Sequence, residues 1–484
     1  MKKTWFIVLL LGLLLSLSGC GHYDYPQMNF IHDGLTLDEY NKIGEVRFID
    51  TSVKTTSAFS LSASTAAYSN FRSMVLNDRT ISPNAIRIEE MINYFSYDYA
   101  DPSNDEIMSM QASIIPTPWN EKSNLLMIGM KAAPIEKDEI KNNLVFLLDV
   151  SGSMNRSNCL PLVQEAFILL LEALGDDDVI SIVTYASSDQ VLLDGGMGYE
   201  KARISAIISD LYASGTTAGA KGIQRAYELA EKHFIEGGNN RVILATDGDF
   251  NVGISSPSDL EAFISEKKET GIYLSVLGFG YGNYKDNKLE TLASKGNGNH
   301  AYIDTILEAK KALIEDINGT LFTVARDAKA QITFNEETVS SFRIIGYENK
   351  LLTDEEFDEE STDAGEIGAG HRVTVIYEIK LKESEAKDLG NILLRYKSPT
   401  VGEEEIYEQS LSVSKDDIVI EPNEDILFIS SIVEVSLVLR NSSFKGTSSF
   451  IQARNRINNL NCVENDVYKK EFLSLINKLI DKTN

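Results

Sequence analysis

The sequence predicts a doubly wound, mostly parallel α/β domain inserted between β-rich flanks and followed by a helical C-terminal region. Three observations predict it. Short apolar β-type runs alternate with helical stripes through the middle of the chain. On both sides of that stretch the β-type runs are separated by turn residues instead of helices. From Glu424 onward the spacing is helical only.

In the central stretch, Leu144 to Leu148 is a continuous apolar run, as a strand buried on both faces requires. Leu160, Val163, Phe167, Leu170 and Leu174 then fall at helical spacing. Val179 to Tyr185 reads as a strand, and Ile223, Tyr227, Ala230 and Phe234 as a helical stripe. Val242 to Ala245, Tyr273 to Phe279 and Ala301 to Ile303 are further strands. Leu260 to Ile264 lies in a helix, and Ile306, Leu313 and Ile317 mark the last one. In the flanks, Leu125 to Met130 precedes the central domain, while Gln331 to Phe334, Phe342 to Tyr347, Val373 to Leu381 and Ile392 to Tyr396 follow it. If these pair, the α/β unit is an insertion into an antiparallel sheet or sandwich. Asp354 to Glu360 reads as a solvated hairpin loop. Ile426, Ile429, Val433 and Leu437 share a helical face, and Tyr468 to Ile480 forms a final amphipathic helix.

A chain of 484 residues is too long for one ordinary domain. The division expected is a signal peptide over 1–19, a tether over 20–56, an N-terminal flanking domain over 57–141, the α/β domain over 142–322, a β-rich flank over 323–420 and a helical region over 421–484. Lysines and arginines number 45 against 72 aspartates and glutamates, a net charge of −27. That argues against nucleic acid and against an electrostatic hold on anionic lipid. Cys20, Cys159 and Cys462 show no zinc spacing and no disulfide framework; Cys159 and Cys462 read as two free thiols, with a Cys159–Cys462 disulfide as the alternative.

The N-terminus reads as an address. Lys2 and Lys3 precede an apolar stretch from Trp5 to Leu17, too short to cross a bilayer comfortably and right for a signal peptide. It ends in Leu17-Ser18-Gly19-Cys20, which resembles a bacterial lipobox, so Cys20 is the expected lipidation site and anchor. Gly21 follows it, which by resemblance to known sorting favours the outer membrane if the host has one.

The residues that carry chemistry sit where strands end. The first central strand runs into Asp149-Val150-Ser151-Gly152-Ser153-Met154, and another runs into Thr246-Asp247-Gly248. Between them lies Ser214-Gly215-Thr216-Thr217-Ala218-Gly219, ahead of a helix. Ligands of open α/β sheets bind beyond the carboxyl ends of the strands, where such loops converge. A set of carboxylates and hydroxyls, without thiol or imidazole, suits a hard cation: Mg²⁺ first, with Mn²⁺ or Ca²⁺ also compatible.

Asp149-x-Ser151-x-Ser153, the threonine loop and Thr246-Asp247-Gly248 resemble the metal-ion-dependent adhesion site of von Willebrand factor A domains. The resemblance implies that Ser151 and Ser153 ligate the ion with a threonine, Thr217 or alternatively Thr216. It implies that Asp149 and Asp247 hold the ion directly or through water, and that an open position receives an acidic side chain of a protein partner. It also implies that the last helix, Ile306 to Phe322, shifts with the state of the site. Asn239-Asn240-Arg241 with Ile243 to Asn251, Arg87 to Phe95, Gly346-Tyr347-Glu348-Asn349 and Asp363 to His371 extend the likeness to YfbK-like bacterial von Willebrand A lipoproteins, from about Phe59 to the end. One departure is Ser62-Ala63-Ser64-Thr65-Ala66-Ala67, where that family usually carries an aspartate-rich string.

Other readings are weaker. Gly278-Phe279-Gly280-Tyr281-Gly282-Asn283 has Asn283 where a G-x-G-x-x-G phosphate loop needs its third glycine, no lysine matches a P-loop pattern, and the stretch reads as a mobile turn. The five histidines show no ligand spacing. No nucleophile elbow surrounds Ser151 or Ser153, and an aspartyl phosphatase would want a second carboxylate where Ser151 stands. The expected function is thus a non-enzymatic, lipid-anchored envelope adhesion or scaffold protein without a small-molecule substrate. A purely structural metal with partner binding on the flanks is the alternative, and a metal-dependent hydrolase a distant third.

Overall fold

The computed structural model describes residues 31–32, 38–61, 64–103, 106–134, 140–215, 219–248, 257–281, 284–316, 319, 322–398 and 405–483. The N-terminal flank supplies β1 (Ile49–Asp50), β2 (Thr56–Ser60), α1 (Ala66–Leu76), α2 (Ile88–Asn93), β3 (Met108–Pro116) and β4 (Asn124–Ala132). The central domain runs β5 (Asn142–Asp149), α3 (Leu160–Ala173), β6 (Val179–Tyr185), β7 (Asp189–Met197), α4 (Lys201–Ser209), α5 (Gly219–Lys232), β8 (Asn239–Thr246), α6 (Pro257–Lys268), β9 (Ile272–Phe279), α7 (Asp286–Lys295), β10 (His300–Ile303) and α8 (Ile306–Lys310). Then follow β11 (Thr323–Phe334), β12 (Val339–Ile345), β13 (Arg372–Leu381), β14 (Asp388–Lys397), β15 (Ile406–Ser414), α9 (Glu424–Leu439), α10 (Phe450–Ile457) and α11 (Val467–Thr483).

The central sheet has the order β10-β9-β8-β5-β6-β7, parallel except for the edge strand β7. β5 sits in the middle because its run is apolar on both faces: Leu144, Phe146 and Leu148 pack on the α3 side, while Val145 and Leu147 pack on the α5 side. The flanks close around this unit. β4, ahead of the insertion, pairs antiparallel with β13, behind it, from Asn124 opposite Ile379 to Lys131 opposite Arg372. They belong to a sheet of order β1-β12-β13-β4-β3, and a second sheet contains β2, β11, β14 and β15. The two stack through rings, with Phe334 and Phe342 centroids 4.3 Å apart and Phe334 and Tyr377 5.5 Å apart. On β4 alternate residues serve two cores: Leu126, Ile128 and Met130 face the sandwich, while Leu125 and Met127 face the C-terminal helices. Gly129 is required there, because a Cβ would lie 2.7 Å from the Tyr99 ring.

Several expectations are corrected. The tether does not extend to residue 56, since Asp38 and Tyr40 are buried and β1 pairs with β12. The acidic run is not a hairpin loop: Asp354–Asp358 is a helical turn with a Thr353–Glu356 capping box, and Phe357 is buried. Phe234 lies beyond the end of α5 and is exposed. The last helix is broken: α8 stops at Lys310, Lys311–Glu315 continues as a π turn, Ile306 is exposed and Ile317 lies outside the described residues. The structure leaves Cys159 and Cys462 as free thiols.

Candidate metal centre at the rim of the central sheet

The carboxyl ends of β5, β6 and β8 lie side by side, because Asp149 is paired with Tyr185 and Leu148 with Ala245. This register delivers three donors to the fully buried Asp149 carboxylate. The Ser151 backbone N–H donates to Oδ1 at 2.8 Å, and the Tyr185 hydroxyl and the Thr246 hydroxyl each donate to Oδ2 at 3.2 Å. Burial pushes the Asp149 carboxyl up to about 6 against the pull of the Ser151 bonds, and the nearby Asp247 charge adds to the rise.

After Asp149 the chain extends through Ser151 and turns through Gly152–Met154, which brings the Ser151 and Ser153 hydroxyls within 3.0 Å of each other. Ser151 is buried and Ser153 faces solvent, so the pair leads from the core to the surface. The second loop is tied to the first by two backbone bonds: Ser214 N–H to the Val150 carbonyl (2.7 Å) and Gly152 N–H to the Gly215 carbonyl (3.0 Å). Gly215 has φ +79°, and a Cβ there would meet the Ser187 hydroxyl at 2.4 Å. Asp247, also buried, sits at the end of β8 and accepts from Arg156 Nη2 at 2.9 Å. Thr216, Thr217 and Cys20 lie outside the described residues.

The donor set fits a hard divalent cation. Asp149 and Asp247 place two carboxylates in one buried neighbourhood, a cost that a cation offsets, and the two converging hydroxyls are the oxygen donors such ions take. Among the described residues no group of three or more histidine, cysteine or carboxylate side chains is placed to hold an ion, so an ion here depends on the hydroxyls.

Arg156 was not singled out in the sequence. Its Nε donates to the Ser153 carbonyl (3.0 Å), Nη1 to the Tyr281 carbonyl (2.7 Å) and Nη2 to Asp247. Tyr281 thus belongs to the site and is pinned, contrary to the expectation of a mobile turn; Gly282 and Asn283 lie outside the described residues. No local signal marks Arg156, because two of its three acceptors, Asp247 and Tyr281, lie 91 and 125 positions away.

An inserted, doubly wound sheet with Asp149, Ser151, Ser153 and Asp247 on its rim defines a von Willebrand factor type A domain protein, and the model of that domain matches residues 143–318. A model described as the C-terminal region of the uncharacterized protein YfbK matches residues 319–481, and one described as von Willebrand factor matches 35–127. YfbK of Escherichia coli (strain K12) is 36% identical over 445 residues, covering 86% of this chain and 77% of that protein. The chain belongs to the YfbK family. Inter-alpha-trypsin inhibitor heavy chain H3 of Mesocricetus auratus is 26% identical over 285 residues, which are 54% of this chain and 32% of that protein. The solved von Willebrand factor type A structure from Catenulispora acidiphila aligns over 70% of this chain and 80% of that one, with a TM-score of 0.42 and 14% identity.

Proposed function

We propose that this chain is a non-catalytic adhesion or scaffold protein that captures an acidic side chain of a protein partner through a divalent ion, Mg²⁺ first among the candidates. In this reading a lipid on Cys20 holds it at the cell envelope, at the outer membrane if the host has one. The observation that carries the reading is the convergence of the Ser151 and Ser153 hydroxyls beside a buried carboxylate, opposite Asp247, on the open rim of the sheet.

Ser151, Ser153, Asp149 and Asp247 would hold the ion, with Thr217 or Thr216 completing the set. When bound, the ion supplies a Lewis-acidic position for an outside carboxylate, and it stays electrophilic because neutral hydroxyls dominate the set. The protein's part is positioning. Tyr185, Thr246 and the Ser151 N–H fix the Asp149 carboxylate, and the Gly215–Gly152 bond holds the second loop against the first.

Calorimetric titration of Mg²⁺, Mn²⁺ and Ca²⁺ tests this, run on the wild type and on Asp247→Ala. Binding near one equivalent that Asp247→Ala abolishes, together with partner pull-down that a chelator abolishes, is the expected result. Recovery of the same partners with and without chelator would sink metal-mediated capture.

A further inference from the structure

Arg156 is built into the rim rather than draped over it. Three of its N–H groups donate to the Ser153 carbonyl, the Tyr281 carbonyl and the Asp247 carboxylate. Its seat exists because residue 280 is glycine: at φ +73°, a Cβ there would lie 2.9 Å from Arg156 Nη2 and 2.5 Å from Cys159 Sγ. Tyr281 is itself held, with the Arg79 guanidinium 5.0 Å from its ring centroid and Arg79 paired to buried Asp38 at 2.9 Å. A guanidinium carries five N–H groups, so two of Arg156's are left without an oxygen acceptor among the described residues. The guanidinium also faces the Cys159 sulfur, and the side chain is 36% exposed, so part of it is open to an acceptor from outside.

We propose that Arg156 is a second receptor for the partner's carboxylate, which would bridge the ion and the guanidinium. The proposal rests on the metal-dependent capture proposed above. Its physical basis is charge. A cation fixed on Asp247 opposes a divalent ion using the same carboxylate, and it favours an arriving anion. Arg156 therefore weakens the ion's hold when no partner is present and strengthens the complex once a carboxylate arrives. The planar fork suits carboxylate geometry better than a lysine would.

The test uses the full-length chain, with Mn²⁺ and acetate as probes. Mn²⁺ affinity is read from the electron paramagnetic resonance of free Mn²⁺, and acetate binding to the Mn²⁺-loaded protein from water-proton relaxation. Arg156→Gln is expected to bind Mn²⁺ about tenfold more tightly, and acetate about tenfold more weakly, the effect of one neighbouring charge on a titrating group. Arg156→Lys keeps the charge and should return Mn²⁺ affinity close to that of the wild type. The opposite signs are diagnostic, since an arginine that only braced the loops would weaken both on removal. Equal affinities in wild type and Arg156→Gln, or a loss of both, overturn the proposal while leaving metal-dependent capture standing. Failure of the wild type to bind Mn²⁺ overturns both.

Discussion

Arg72 Nη2 of α1 donates to Glu308 Oε2 of α8 at 2.7 Å, and neither side chain reaches solvent. The same guanidinium contacts Asp304 and donates to Glu471 of α11 (3.0 Å) and to the Tyr94 hydroxyl (3.1 Å). Tyr94 in turn donates to Glu308 at 2.7 Å. The N-terminal flank, the last helix of the central domain and the C-terminal helix therefore share one buried ion cluster. Burial holds the Asp304 and Glu308 carboxyls above their ordinary values despite the opposing pull of Arg72. A shift of α8 would have to break this cluster.

Removing the shared cation is expected to cost most of the protein's margin. Arg72→Met leaves two carboxylates buried without compensation, a loss of about 3–5 kcal/mol for breaking such a pair from one side. Urea denaturation of wild type and variant measures it. A loss below about 1 kcal/mol would mean that solvent reaches the cluster.

Glu89 gives the fold a pH dependence of unusual sign. It is buried, accepts from the Tyr347 N–H at 3.0 Å, and its carboxyl is pushed up to about 7 by burial and by the Glu348 and Glu90 charges. A raised folded value means that the stabilising contribution is whole below the unfolded value near 4.5 and is lost as pH rises through 7. Glu89→Gln should remove that loss, on the order of 2–3 kcal/mol between pH 5 and 8. Parallel pH–stability curves for wild type and variant would refute it.

Ser153 separates binding from folding. Its hydroxyl faces solvent and meets Ser151 at 3.0 Å, so Ser153→Ala should change stability by no more than about 0.5 kcal/mol. Mg²⁺ affinity should nevertheless fall by about tenfold or more, the loss of one oxygen donor. Calorimetry and thermal melting on one preparation read both quantities, and unchanged affinity would remove Ser153 from the ligand set.

Two glycines with similar backbone make a matched pair. Gly215 and Gly237 have φ of +79° and +71°, but a Cβ on Gly215 strikes the Ser187 hydroxyl while one on Gly237 meets nothing within 4 Å. Both alanine variants should lose about 1 kcal/mol of stability to the left-handed backbone. Only Gly215→Ala should weaken Mg²⁺ binding, because only it displaces the loop bonded to Gly152. Equal Mg²⁺ affinity in the two variants would show that the second loop adapts.

Legibility followed burial and periodicity. The two-sided run Leu144 to Leu148 announced the central strand, and Asp149, Ser151, Ser153 and Asp247 were readable because each directly follows a strand or sits within two turns of its end. α1 escaped because it is buried all round: Ala66 to Val75 are all inaccessible, including Ser69, Asn70 and Arg72, so no polar stripe sets a helical period. The edge strand β7 escaped because its ladder with β6 is broken by register shifts and carries Gly195 and Gly196.

The sequence by itself determined the insertion of an α/β unit into a β-rich frame, the alternation of the unit's parallel strands with helices, and the rim residues suited to a hard cation. These are local properties, carried by spacing along the chain. Only the tertiary structure decided which distant partners those residues meet: Arg156 with Asp247 and Tyr281, Tyr185 and Thr246 on Asp149, and Arg72 among Asp304, Glu308 and Glu471. A single charged side chain has no period to reveal its partner. Its pairing is set by how whole elements pack, and by the cost of leaving a buried charge alone.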